Sequence, residues 1–98
     1  MKSQRIKELF DYDPVRGRLI RKISRGNQFS GEIAGSESKQ GGHRSIRVDY
    51  KHITERRAIW MWHYGDDNVP TLIGTYTRIP DDNRIENLYA KNRNHEKS

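Results

Sequence analysis

Cysteine is missing from all 98 residues of the chain, which excludes a disulfide framework and any thiolate zinc site. Apolar side chains are also scarce, at 32% of the chain. A core drawn from so few must be small and lean on its aromatics, and this length suffices for one domain, residues 1–98. Long apolar runs are missing too. None approaches the roughly 20 residues of a membrane span, and positions 1–10 lack the apolar block of a signal peptide. These absences lead us to expect a soluble protein of a reducing cytoplasm.

Positive charge is what the sequence has in excess. The formal net charge is +6, with eight Lys/Arg against three Asp/Glu in residues 1–25, six against four in 26–60 and five against six in 61–98. A field of this sign draws phosphate backbones through counterion release, without reading sequence. The densest cluster is Arg16, Arg18, Arg21, Lys22 and Arg25, and Arg44, Arg47, Arg56 and Arg57 extend it. These nine are the candidate contacts to nucleic acid or to a protein partner. A solvated basic face is the plain alternative.

Local patterns place these residues on an α+β framework. Ser3 is positioned to cap a short helix carrying Ile6, Leu9 and Phe10 on one face, ending by Tyr12-Asp13-Pro14. Gly17 supplies a turn, and Arg18–Lys22 reads as a strand. Residues 24–42, rich in Gly and Ser, read as a long mobile loop. From Arg44 the period becomes two. Ile46, Val48 and Tyr50 alternate with Ser45, Arg47 and Asp49, and His52–Thr54 returns as the partner strand after a turn near Tyr50-Lys51, which puts Ser45, Arg47 and Asp49 on the outer face. Ala58, Ile59 and Trp62 share a helical face in Glu55–Tyr64, which Gly65 terminates. Val69–Ile79 is β-branched and apolar, fitting a strand or an ordered loop. A last helix is expected to carry Ile85, Leu88 and Tyr89, followed by a fraying tail from Asn92. Trp60 and Trp62, two apart on a helix, predict one ring near the surface, ready to stack on a base or a partner, or half-covered by the loop.

Two blocks resemble the phage-type HNH (ββα-metal) homing endonucleases. The more specific is Asp82-Asn83-Arg84-Ile85-Glu86-Asn87-Leu88. The second is Arg57-Ala58-Ile59-Trp60-Met61-Trp62-His63-Tyr64-Gly65, similar to the helix that precedes it in that family. Leu9–Pro14 with Gly17, and Ile33-Ala34-Gly35, are similar to the family's upstream segments, so the likeness spans roughly residues 6–90 in consistent order. It implies a small α+β HNH-like domain with a β-hairpin packed on short helices.

The same resemblance implies a lost activity. In that family a divalent metal, bound by an aspartate, stabilises the scissile phosphate while the adjacent histidine deprotonates the attacking water. Counting back from Asn87 puts this pair on Gly74 and Thr75, which offer no carboxylate ligand and no base of useful strength near neutral pH. Arg56 stands where a histidine often opens the helix, and the helical ligand falls on Glu96, next to His95. We therefore expect no catalytic residue, no metal and no cofactor. Asn87 is then either an active-site relic or, our preferred reading, a pin that holds the preceding loop by hydrogen bonds to its backbone. His63 reads as a helix-end residue, and His43 and His52 lack partners at ligand spacing.

The expectation is a catalytically inactive module of phage or mobile-element origin, in a bacterial host cytoplasm, that binds nucleic acid, DNA before RNA. Two other classes stay open. One is a phage counter-defence inhibitor, of anti-CRISPR or anti-restriction type, seated on a host nucleic-acid-processing complex. The other is a residual metal-dependent nickase using Asn87, His95 and Glu96.

Overall fold

The computed structural model describes residues 2–24, 26, 28–37, 44–65, 69–77 and 82–91. Arg25, His43, His95 and Glu96, with the whole of the expected tail from Asn92, lie outside the described residues.

Helix α1 (Ser3–Leu9) opens the chain. Ser3 is its first helical residue and Lys2 holds the cap position without a side-chain bond, so the expected serine cap does not form. The helix buries Ile6 and Leu9 and stops where Phe10 becomes extended, although Phe10 still reaches the core. Strands β1 (Phe10–Asp13) and β2 (Arg18–Arg21) then form an antiparallel hairpin. Its turn has a local cause: Asp13 Oδ1 accepts from Val15 N at 2.9 Å and Arg16 N at 3.3 Å, an Asx-type turn. Gly17 closes it at φ +68°, and a Cβ there would lie 2.4 Å from the backbone nitrogen of Arg84. Glycine is thus required twice, by conformation and by the close approach of residue 84.

The segment expected as a mobile loop is partly tied to the core. Ala34 N donates to Leu19 O at 2.8 Å, Ile33 bridges Ile20, and Ala34 is fully buried. β3 (Ser36–Glu37) pairs with β4 (Arg44–Val48), which pairs with β5 (Lys51–Thr54), giving the antiparallel order β3-β4-β5. The alternation holds from Ile46 to Asp49, with Ile46 and Val48 buried and Arg47 and Asp49 exposed, but Ser45 is half-buried, and Tyr50, expected in the apolar series, lies in the turn and is exposed.

Helix α2 (Glu55–Tyr64) starts on Thr54, whose hydroxyl accepts from Arg57 N at 3.3 Å, and ends at Gly65. It buries Ala58, Ile59 and Met61 against α1 and the β4–β5 hairpin. Met61 takes the buried place expected for Trp62. Both tryptophans are half-buried against the core, and Trp62 Nε1 donates to Phe10 O at 3.0 Å, so neither ring is the exposed platform that their spacing suggested.

β6 (Leu72–Thr75) and β7 (Leu88–Lys91) form a further antiparallel pair, with a 3-10 turn at Ile85–Asn87 leading into β7. The expected last helix is therefore corrected. Ile85 and Leu88 do reach the core, but residues 88–91 pair with β6 instead of coiling, because strand pairing satisfies their backbone groups. The result is an α+β fold with β-hairpins packed on short helices. Among the described residues, no helix is long and apolar enough to cross a membrane.

Candidate nucleic-acid interface

The start of α2 carries an ionic centre that the sequence did not advertise. Glu55 is fully buried, and its carboxylate accepts from Arg18 Nη1 at 3.3 Å, Arg44 Nε at 3.0 Å and Asn83 Nδ2 at 2.7 Å. A buried carboxylate is tolerable only with this kind of compensation. Arg18 and Arg44 each keep only 15% of their side-chain surface exposed. Both were candidate phosphate contacts, yet the structure turns them inward to join β2, β4, α2 and the segment around residue 83. Glu55 looked like an ordinary acidic residue in a first helical turn, and only its distant partners reveal its role.

The remaining candidates fall into two groups. Arg56 and Arg57 sit with Arg44 around a pocket of about 330 Å³, lined also by Thr54, Thr71, Leu72, Ile73 and Asn83. Arg56 donates to Ile73 O at 3.0 Å and to Asn83 Oδ1 at 3.4 Å, and burial holds its pKa below the usual arginine value. Arg57 Nη1 donates to Pro70 O at 2.8 Å. Placing two cations in the first turn of a helix opposes the helix dipole, an arrangement that an anion in the pocket would relieve. The second group is Arg21 and Arg47, which line a concavity of about 240 Å³ with Gln28, Asp49 and Tyr50. Arg16 and Lys22 stand apart, 3.9 Å from Asp13 and 3.7 Å from Asp11.

The β6–β7 pair holds the positions that the resemblance assigns to metal chemistry. Gly74 pairs with Tyr89, and a Cβ on Gly74 would lie 2.6 Å from the tyrosine ring, so that ring fills the space over residue 74. Thr75 spends its hydroxyl proton on Thr77 O at 2.8 Å. A glycine under an aromatic ring beside a committed hydroxyl does not fit a divalent ion.

Asn87 is buried and fully occupied. It accepts from Thr77 N at 3.0 Å and donates to Thr77 Oγ1 at 3.0 Å and Asp82 O at 2.8 Å, which ties both ends of the connection between the two strands. The pinning role is the one observed. His63 Nδ1 lies 3.2 Å from Ile59 O, at the helix end as expected. His52 is exposed on β5, across from Arg47.

No family model matches the chain, and no curated protein or solved structure matches it either.

Proposed function

We propose that the chain is a nuclease-dead, HNH-like module, of phage or mobile-element origin, that binds nucleic acid, DNA in preference to RNA. One observation carries this reading: Arg56 and Arg57, both in the adverse first turn of α2, meet at a single pocket, which Arg44 also lines while paired with Glu55. The pocket is wide enough for a phosphate group and offers guanidinium forks, which suit phosphate oxygens better than lysine does. Thr54 and Thr71 add hydroxyls at its rim. The Tyr89 ring over Gly74 supports the other half of the reading, because hydrolysis in the family that the chain resembles needs a ligand and a base at positions where this chain has glycine and threonine.

The test is fluorescence anisotropy with labelled DNA at low salt, on the wild type and on Arg57→Glu, whose side chain lies outside the Glu55 cluster. Micromolar association weakened about tenfold or more by the charge reversal is expected, and no association, or unchanged affinity in the variant, would overturn it. In parallel, supercoiled plasmid with Mg²⁺ or Mn²⁺ should stay intact. Nicking abolished by Asn87→Ala would return the chain to the nucleases.

A further inference from the structure

Resting on the nucleic-acid reading above, we propose that Tyr50, at the tip of the β4–β5 hairpin, is a stacking platform for an unpaired base of single-stranded DNA, with Arg21 and Arg47 meeting the adjoining phosphates. Val48 pairs with Lys51, so Asp49 and Tyr50 form a two-residue turn, and both have positive φ, 49° and 70°. This geometry is the left-handed hairpin turn that asparagine and glycine adopt at least cost. A tyrosine in its second position is strained, and nothing in the core recovers that cost, since Tyr50 is 85% exposed. Neighbouring hairpins do not explain the choice: β1–β2 closes on Gly17, the residue its backbone requires.

The surroundings of the ring identify its ligand. The Arg47 guanidinium lies 5.6 Å from the ring centroid, and Arg21 and Gln28 line the same concavity. Lys2, Arg5 and Lys51 line the adjoining hollow on the other side of Asp49. The Asp49 carboxylate is already engaged by Arg5 through two bonds of 2.7 and 3.0 Å, so it does little to repel an anion. An exposed aromatic face among cations matches a polyanion that carries planar rings. Duplex bases are stacked on one another, so a ring at a hairpin tip gains most from a base that is unpaired. The polar residues around Tyr50 give a lipid tail or an apolar peptide no surface to cover.

Strain and function make opposite demands on this residue, which gives a two-sided test. Tyr50→Gly should raise the midpoint of thermal unfolding by roughly 4–8 °C, because glycine takes the turn conformation freely. The same change should weaken binding of a labelled 12-nucleotide single strand about fivefold or more, while duplex binding changes less than twofold. Tyr50→Phe should keep single-strand affinity within about twofold, since the stacking face is retained. A Tyr50→Gly variant that binds the single strand as the wild type does would overturn the stacking role. If duplex binding still fell with Arg57→Glu in that case, the broader nucleic-acid reading would stand. A wild-type chain that binds neither strand form would end both.

Discussion

Glu55 and Arg57 are separated by a single residue, yet they have opposite roles. Glu55 is sealed in the core with two arginines and an asparagine on its oxygens, while Arg57 reaches a backbone carbonyl beside an open pocket. Glu55→Gln leaves Arg18 and Arg44 facing a neutral amide, and removing one partner of a buried ion pair costs about 3–5 kcal/mol. For a domain of this size that is a large share of the total stability, so urea denaturation should find the variant partly unfolded in buffer. Arg57→Gln should lose no more than about 1 kcal/mol. Asn87 belongs with Glu55: Asn87→Ala strands Thr77 N and the Asp82 carbonyl and should cost about 2–3 kcal/mol, with faster hydrogen exchange at the Thr77 amide. An active-site relic without a structural duty would lose nothing measurable.

The β6–β7 pair limits how much of the molecule the sequence could reveal. The bounds of helix α2 were readable, with Gly65 at its end, and Ala58 and Ile59 marked its buried face, but Met61 and not Trp62 completes that face. The β4–β5 hairpin was readable from its period of two. β7 was not, since Ile85, Leu88 and Tyr89 repeat at helical spacing and only pairing with β6 decides their conformation. The site was half legible for a related reason. Composition exposes every arginine, but which of them are neutralised depends on Glu55, whose partners Arg18 and Arg44 lie 37 and 11 residues away in the chain. The turn expected near Tyr50-Lys51 falls one residue earlier, on Asp49-Tyr50, and its left-handed conformation gave no signal, as it lacks the glycine by which such turns are recognised. The Gly74–Tyr89 pair also predicts what reconstruction would do. Gly74→Asp with Thr75→His supplies the missing residue types, but the new Cβ meets the Tyr89 ring, so the double variant should lose about 1–3 kcal/mol and still fail to nick plasmid. Adding Tyr89→Ala should recover much of that stability by removing the overlap, which thermal unfolding of the wild type, the double variant and the triple variant would reveal.

Across the whole chain, an excess of six positive charges says little about how many phosphates are touched. Each phosphate neutralised releases counterions, and the logarithm of affinity then falls with the logarithm of salt by about 0.9 per contact on duplex and about 0.7 on a single strand. Arg18 and Arg44 are committed to Glu55, Arg5 to Asp49 and Arg84 to Asp82, so these cations have carboxylate counterions before any nucleic acid arrives. Among the described residues, Arg21, Arg47 and Arg57 have no carboxylate within ion-pair distance. Three contacts give an expected slope of about −3 on duplex and about −2 on a single strand, read from anisotropy titrations between roughly 50 and 200 mM salt. Arg57→Gln and Arg47→Gln should each make the slope shallower by about one contact, whereas Lys7→Gln, which sits over the Trp62 ring on α1, should leave it unchanged. A duplex slope of about −6 or steeper would mean that the paired arginines abandon their carboxylates on binding. That outcome would require Glu55 to be left without its counterions in the core, a cost the small apolar core is poorly placed to absorb, so the shallow slope is the one consistent with the fold.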